Sequence, residues 1–199
     1  MQEKEKTFEK KSELIDAAIN EFSERGYENA SLNNILKQAG ISKGTFYYHF
    51  KNKEALYIYL IGILIDEKKE FLKNNVSYDV FSKDIFTIFE ELTKAGMKFA
   101  NKSPSISKFS ESFIKEKENE IYKKVFEKYN FQNDDYMNAL IENAYSKGEF
   151  REDLPKEFIK SIVSYLFTNI TNITSVSKMN DYEEVINNLI KFMKNGLSR

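Results

Sequence analysis

The stretch 29–53 contains four lysines, one histidine and two tyrosines but no acidic residue. In the whole chain of 199 residues, 31 Asp and Glu stand against 30 Lys and Arg, so an acid-free stretch of this length is unexpected. It holds two short helical patterns on either side of Gly40, which predicts two helices joined by a tight turn. Lysines, tyrosines and short polar side chains contact the phosphates and base edges of duplex DNA, so we interpret the stretch as a duplex-reading element.

The composition predicts an all-α protein that binds DNA through a local surface. Two prolines and seven glycines leave few helix breakers, and no segment alternates regularly between apolar and polar residues. Hydrophobic residues make up 41% of the chain, which is enough to form a core, and the net charge of -1 argues against a protein that is basic throughout. The chain contains no cysteine, which excludes a disulfide framework, a thiolate metal site and a cysteine nucleophile.

No segment has the pattern of a secretion signal or a membrane span. The first residues are charged and lack an apolar run of signal-peptide length. The longest apolar stretch, 55–65, is too short and too mixed in composition to cross a bilayer. We therefore expect a cytoplasmic protein without membrane contact.

Apolar periodicity and capping residues predict the positions of the helices. Gly26 and Gly40 are suited to end helices, whereas Ser31 and Ser42 are suited to begin them. These signals predict an N-terminal domain, 1–54, whose three helices form a helix-turn-helix arrangement. A second helical domain, 55–199, is expected to follow, joined to the first by a long fourth helix. The predicted helices span 9–25, 32–39, 43–50, 52–73, 79–101, 105–116, 119–129, 134–147, 155–178 and 181–195.

Residues 10–57 resemble the signature of the TetR family of bacterial transcriptional regulators. One departure is Leu36, which stands where the family usually has alanine and predicts a small shift in the packing of the second helix. The remainder, 58–199, resembles the family only in length and helical layout. The positions that carry the resemblance are Gly26-Tyr27, Ser31, Ile35, the run from Ala39 to Tyr47, His49-Phe50, Lys53-Glu54 and Leu56.

The resemblance implies a homodimer that binds a double-stranded DNA operator built of two inverted half-sites. It also implies that the C-terminal domain holds a small molecule, whose binding lowers the affinity for DNA. Most such proteins repress transcription, and some activate it. We therefore expect a repressor that a small effector releases from its operator, and we expect neither a cofactor nor a metal.

The third predicted helix is the candidate recognition helix. Lys43 is suited to a guanine or a phosphate, Gly44 to close approach of the backbone, and the Thr45 methyl group to a thymine methyl. Tyr48 is expected on the same exposed side, where it could touch a base or a sugar. The candidates for DNA contact are Ser31, Ser42, Lys43, Gly44, Thr45, Tyr47, Tyr48, His49 and Lys53, and the family pattern assigns Tyr47, His49 and Lys53 mainly to phosphates.

Several of these residues also have a purely structural interpretation. Tyr47 could serve mainly in packing, and His49 could be a surface histidine without a DNA contact. Lys53 is expected in the first turn of the fourth helix, where free backbone N–H groups help to bind an anion. Lys37 could approach the DNA backbone, whereas Lys51 is expected to be a solvated charge.

Phenylalanine and tyrosine recur at helical spacing in the C-terminal domain. Each such residue is more often part of a core than of a ligand site, but together they could line an apolar cavity. The implied ligand is hydrophobic or aromatic and of modest size. The candidates for the cavity wall are Phe86, Phe89, Phe113, Phe126 and Tyr145.

The last two predicted helices carry broad apolar stripes. They present more apolar surface than one side of a small domain can cover, so pairing with a twofold copy in a four-helix bundle would bury the excess. The alternative is that all of this surface packs internally. The candidates for the dimer interface are Phe158, Ile162, Tyr165, Leu166, Ile170, Val185, Leu189 and Phe192.

Two other classes of function are alternatives to a ligand-responsive regulator. A small helical enzyme is disfavoured, because the only histidine, His49, lies in the DNA motif and no glycine-rich phosphate loop is present. A DNA-binding protein of the same scaffold without a ligand switch, in an architectural or division-control role, remains open. Such a protein would bind specific DNA without responding to a small molecule.

Overall fold

The computed structural model describes residues 9–102, 104–129, 135–170 and 179–199, and these ranges are all-α, as predicted. Short 3-10 helices also occur at Tyr78–Ser82 and Glu116–Glu118. The α-helices among the described residues are α1 (Lys11–Asn29), α2 (Leu32–Ala39), α3 (Lys43–His49), α4 (Lys53–Asn75), α5 (Ile85–Lys102), α6 (Pro104–Lys115), α7 (Glu120–Lys128), α8 (Asp135–Ser146), α9 (Lys156–Thr168) and α10 (Met179–Leu197).

The described residues form two compact units. Unit 1 comprises those up to Glu67 together with Ala100–Tyr129. Unit 2 comprises Lys68–Phe99 and those beyond Tyr129. The three helices of the predicted helix-turn-helix element therefore share a unit with α6 and α7, which follow much later in the chain.

The core of unit 1 is built from one face of each of its helices. Leu14, Ala18 and Phe22, spaced four residues apart on α1, are each 0% exposed. Ile35 and Leu36 of α2 are buried in the same cluster. The buried members from later helices are Phe46, Leu56, Tyr57, Leu60, Ile61, Phe109, Ile121 and Val125.

Tyr57 lies at the centre of the aromatic contacts of unit 1. Its ring meets the rings of Phe22, Tyr27 and Phe109 edge-on, with centroid distances of 4.8, 5.0 and 5.6 Å. These rings come from α1, α4 and α6, so their packing ties the N-terminal helices to α6. The Tyr57 hydroxyl is buried without a hydrogen-bond partner among the described residues. Burial, reinforced by the charge of Glu116, raises the pKa of this hydroxyl, so it remains protonated.

Unit 2 has its own apolar core, formed by α5, α8, α9 and α10. The end of the chain joins this core through a short antiparallel bridge, in which Arg151 N donates to Leu197 O at 2.9 Å and Arg199 N donates to Glu149 O at 3.1 Å. The buried residues of this core are Ile85, Phe86, Phe89, Ile141, Ala144, Phe150, Ile159, Val163, Ile190, Met193 and Leu197.

The helix predicted at 79–101 begins later than expected. Asp84 acts as a cap, because its carboxylate accepts hydrogen bonds from the backbone N–H of Thr87 at 3.2 Å and from its hydroxyl at 2.5 Å. The Glu149 carboxylate accepts the next amide, that of Ile85, at 2.6 Å. The apolar periodicity continues across this cap into the separate 3-10 helix before it, so the prediction joined the two helices.

The helix predicted at 155–178 ends earlier than expected among the described residues. Pro155 precedes α9 as its N-cap rather than lying in its first turn. At the other end, Asn169 leaves the helical conformation, with φ -107° and ψ 16°, and both its backbone and its side-chain N–H groups donate to the Tyr165 carbonyl. Asparagine competes for backbone carbonyls in this way and so favours a helix end. The rest of this prediction, 171–178, lies outside the described residues.

Among the helices that the structure describes, none is both long enough and apolar enough to cross a membrane. A search of the same residues finds no group of three or more His, Cys, Asp or Glu side chains arranged to hold a metal ion.

The orphaned hydroxyl of Tyr57 gives a prediction for stability. The substitution Tyr57→Phe keeps the ring contacts and removes a buried donor that has no acceptor, so we expect the free energy of unfolding to rise by about 1 kcal/mol. Urea unfolding followed by circular dichroism measures this change. The control Tyr78→Phe alters a tyrosine that is 81% exposed and should change stability by less than about 0.5 kcal/mol. A clear loss of stability in Tyr57→Phe would contradict the prediction.

Candidate DNA-binding surface

Capping residues fix both ends of α2. The Ser31 hydroxyl accepts a hydrogen bond from Asn34 N at 3.4 Å, which caps the start of the helix. After the last turn, Gly40 adopts φ 63° and ψ 36°, a left-handed conformation that glycine tolerates without strain. The Ile41 amide then donates to the Leu36 carbonyl at 3.1 Å, which closes the helix end and sets the turn toward α3.

The start and the buried face of α3 are also fixed by local contacts. Ser42 caps the helix by accepting from Thr45 N at 3.0 Å, and the Ser42 and Thr45 hydroxyls lie 2.9 Å apart in a further hydrogen bond. Phe46 is 0% exposed, and its ring stacks on that of Phe50 with centroids 5.6 Å apart. The helix is therefore held at one end and along one face, which leaves its other face for contacts outside the chain.

The outer face of α3 presents the residues expected of a recognition helix. Lys43, Gly44 and Thr45 at its N-terminal end are all exposed. Tyr47 and Tyr48 are 56% and 59% exposed, which is unusual for such large rings in a monomeric protein. Because Gly44 has no side chain, the backbone at this end can approach another molecule closely.

Further cations surround this face. Lys37 on α2 and Lys51 after α3 are exposed, while His49 is half-buried with its ring edge-on to that of Tyr48 at a centroid distance of 4.9 Å. With Lys43, these two lysines make the acid-free surface around α2 and α3 positive.

The structure gives Lys53 a different set of partners from the phosphates that the family pattern suggests. Its Nζ donates to the carbonyl oxygens of Tyr27, Glu28 and Ala30 at 2.6, 3.1 and 3.0 Å. It also lies 4.7 Å from the centre of the Tyr27 ring. An ammonium group has three N–H donors, so all of them are used within the chain. Lys53 thereby organises residues 26–31, where the chain departs from the regular helix at Gly26 and leads into α2; we call this segment the loop between α1 and α2.

Three more charged residues touch this element, and sequence reasoning did not single them out. Lys10 Nζ donates to the Gly40 carbonyl in the turn at 3.0 Å. The carboxylates of Glu21 and Glu116 accept from Ser31 N at 2.9 Å and from Tyr27 N at 2.6 Å. Glu21 could have been noticed as an acid beside Phe22 on the inner face of α1, but nothing local marks Glu116 or Lys10.

The five ligand-wall candidates fall into two groups. In unit 2, Phe86 and Phe89 are only 2% and 1% exposed within the core, and the Tyr145 ring lies 6.5 Å from that of Phe150. In unit 1, Phe113 and Phe126 are half-buried, and each stacks on Tyr122, with centroid distances of 4.9 and 4.5 Å.

The dimer candidates differ widely in exposure. Phe158, Tyr165 and Phe192 are 51%, 58% and 68% exposed. Ile170 is 3% exposed and so belongs to the interior of the chain. The half-buried members are Ile162, Leu166, Val185 and Leu189.

Comparison with known proteins agrees with this geometry. Residues 14–60 match the family model described as bacterial regulatory proteins, tetR family. The chain is 33% identical over 141 residues to the HTH-type transcriptional regulator YerO of Bacillus subtilis, a match that covers 67% of this chain and 46% of YerO. It is 24% identical over 158 residues to the biofilm operon icaADBC negative transcriptional regulator IcaR of Staphylococcus epidermidis, covering 71% of this chain and 85% of IcaR. The chain thus spans less than half the length of YerO.

A solved structure extends the likeness to nearly the whole chain. The crystal structure of a TetR family transcriptional regulator from Chloroflexus aurantiacus matches with a TM-score of 0.65, covering 98% of this chain and 96% of that chain at 24% identity. At this identity the likeness shows a shared fold.

The chain belongs to the TetR family of bacterial regulatory proteins. The names of YerO and IcaR describe transcriptional regulators, which is the class of protein that the sequence predicted. The helix-turn-helix element of this TetR-family chain consists of α2, the Gly40 turn and α3.

The cap of α3 gives a prediction for this surface. The substitution Ser42→Ala removes the acceptor of the Thr45 amide and the partner of its hydroxyl, so the free energy of unfolding should fall by about 1 kcal/mol. Thermal unfolding followed by circular dichroism measures the loss. The control Ser161→Ala changes an exposed serine inside α9 and should leave stability within about 0.5 kcal/mol of the starting protein. Equal effects of the two substitutions would show that the Ser42 cap adds no stability.

Proposed function

We propose that this protein is a dimeric, sequence-specific DNA-binding regulator that inserts α3 into the major groove of an inverted-repeat operator. The observation that carries the proposal is the exposed face of α3, where polar, aromatic and cationic side chains stand on a helix that is capped by Ser42 and anchored by Phe46. A reading element needs such rigidity, because base contacts depend on placing side chains accurately against the base edges.

The candidate contacts divide into two kinds. Lys43, Thr45 and Tyr48 at the outer face of α3 are assigned to base edges. Thr45 would contribute mainly its methyl group, because its hydroxyl is already bonded to that of Ser42. Contacts to phosphates are assigned to Ser31, Ser42, Tyr47 and His49. Lys37, which is exposed on α2, is assigned to the DNA backbone as a further cation.

Dimer formation is supported by apolar side chains on α9 and α10. Phe158, Ile162 and Tyr165 recur at helical spacing on α9, and two of the three are exposed. Val185, Leu189 and Phe192 repeat this spacing on α10, with Phe192 the most exposed. Pairing of these stripes with a twofold copy would give the dimer two α3 helices, one for each half-site, and the half-sites of such dimers lie about 34–36 Å apart.

We assign repression and release by a hydrophobic or aromatic effector as the mode of regulation. The name of IcaR describes a negative regulator, which supports repression. The aromatic side chains of the helices beyond α4 suit an apolar effector. An effector that favours a conformation unsuited to DNA would lower the operator affinity by at most its preference for that conformation, typically about 1–3 kcal/mol. A regulator on this scaffold without an effector is the second candidate, and specific DNA binding that no effector changes would favour it.

The first experiment selects duplexes from a random pool with the purified protein. We expect an inverted repeat to be enriched, and we expect Thr45→Ala and Tyr48→Ala to relax the preference at particular base positions, by about 1–3 kcal/mol each. The control Tyr78→Ala changes an exposed tyrosine outside the acid-free stretch and should return the same repeat. Failure of the folded protein to enrich any sequence would contradict the proposed function.

A second experiment tests the dimer interface. The substitution Phe192→Lys places a charge in the proposed apolar interface, so the dimer dissociation constant should rise by about tenfold or more. Sedimentation equilibrium measures this constant, and Tyr78→Lys introduces the same charge at an exposed tyrosine elsewhere. A Phe192→Lys variant that dimerises as tightly as the control would contradict the assignment of α10 to the interface.

A further inference from the structure

Charged side chains surround the backbone of the loop between α1 and α2. The Glu116 carboxylate accepts from Tyr27 N at 2.6 Å, and the Lys53 ammonium donates to the carbonyl oxygen of the same residue at 2.6 Å. Two further carbonyls bond to Lys53, at Glu28 and Ala30. The Tyr27 peptide groups are therefore held from two sides by charges of opposite sign.

Glu116 is almost fully buried, which makes its contacts costly to lose. Only 6% of the residue is exposed, and its carboxylate also accepts a hydrogen bond from the Asn119 side chain. A buried carboxylate must be compensated by donors, and the Tyr27 amide and the Asn119 side chain supply them here. This hydrogen bond joins the carboxylate to the loop, so the two groups fix each other's positions.

Gly26 provides the space for this carboxylate. Its backbone adopts φ 70° and ψ 173°, which interrupts the helical conformation near the end of α1. A Cβ atom at this position would lie 2.8 Å from Glu116 Oε1, closer than atoms normally approach. The glycine therefore permits both the backbone conformation and the seat of the carboxylate.

We propose that Lys53 and Glu116 are positioning residues for operator recognition, and that Lys53 acts through the loop rather than by binding a DNA phosphate. The loop ends at Ser31, the N-cap of α2, and α2 leads through the Gly40 turn into α3. A displaced loop would thus tilt both reading helices. This inference rests on the proposed function and adds a second anchor for those helices, at the junction of α6 and α7.

The salt dependence of operator binding separates positioning by Lys53 from a phosphate contact. The logarithm of affinity falls with the logarithm of salt concentration, and each lost phosphate contact reduces the slope by about 0.9. We expect Lys53→Met to lower affinity for the selected operator by about tenfold or more without changing this slope. Lys37→Met, which removes an exposed cation assigned to the DNA backbone, serves as the comparison for a changed slope. Lys69→Met removes an exposed charge from the same helix and should change neither quantity.

A charge-retaining substitution sharpens the distinction. Lys53→Arg keeps a cation for a phosphate, but its planar fork cannot direct three donors from one nitrogen at three carbonyls. Positioning therefore predicts that Lys53→Arg also loses operator affinity. A phosphate contact predicts that it retains both affinity and slope.

Substitution of Glu116 tests positioning against a simple effect of charge, because the two predict changes of opposite sign in operator affinity. Removing an acidic charge should strengthen or leave unchanged the attraction of a protein for DNA. We expect Glu116→Leu to weaken operator binding instead, and Glu116→Gln, which retains an oxygen for Tyr27 N, to weaken it less. The control Glu118→Gln changes an exposed acid in the same 3-10 helix and should have no such effect.

All variants are compared at a temperature where circular dichroism shows them folded, and binding to an unrelated duplex is measured beside the operator. If Lys53 and Glu116 act by positioning, their substitution lowers the affinity for the operator more than the affinity for the unrelated duplex. Folded variants that bind the operator as the starting protein does, or a reduced slope for Lys53→Met, would overturn the proposal. Failure of the proposed function is distinct, because the unsubstituted protein would then show no preference for the operator.

Discussion

The position of the reading element depends on one constraint: the backbone N–H and C=O groups of the loop between α1 and α2 need hydrogen-bond partners. The chain passes from α1 into α2 within a few residues here, and its peptide groups would otherwise lack partners beside the apolar core of unit 1. Lys53, Glu116 and Glu21 supply those partners from three different helical segments. Since Ser31 begins α2 directly after this loop, the direction of α2 is set before any DNA is present.

The reading element then separates the residues that hold α3 from those that reach outward. Phe46 packs inward, Ser42 caps, and Gly40 sets the turn, while the rings of Tyr47 and Tyr48 remain exposed. Exposed rings and short polar groups on a rigid helix suit DNA recognition, because ordering them on binding costs little conformational entropy, and the lysines add charge for the phosphates. Different residues of the same short helix thus serve folding and recognition.

Local signals in the sequence predicted this element well. The bounds of α2 were predicted correctly, and α3 was predicted to within one residue at its end. Serine caps and the glycine stop at Gly40 act over three or four residues, so the sequence displays them directly. The predicted start of α5 was wrong, because the prediction followed the apolar periodicity and did not use Asp84 as a cap.

The contacts that orient the element could not be predicted in the same way. Glu116 bonds to a residue 89 positions away, and Lys53 bonds to one 26 positions away. Their partners are backbone groups, which every residue type carries, so no pairing of side-chain types marks them in a single sequence. The family pattern directed Lys53 toward phosphates, and only the folded chain shows its ammonium among three carbonyls.

Interference by methylation of the selected operator tests most directly whether α3 reads the major groove. Methyl groups are placed on guanine N7, which faces the major groove, or on adenine N3, which faces the minor groove. The account predicts that methylated guanines block binding in two patches about 10 base pairs apart, and that Thr45→Ala or Tyr48→Ala removes part of this pattern. Interference confined to adenine N3, or a pattern that neither substitution changes, would contradict the assignment of α3 as the recognition helix.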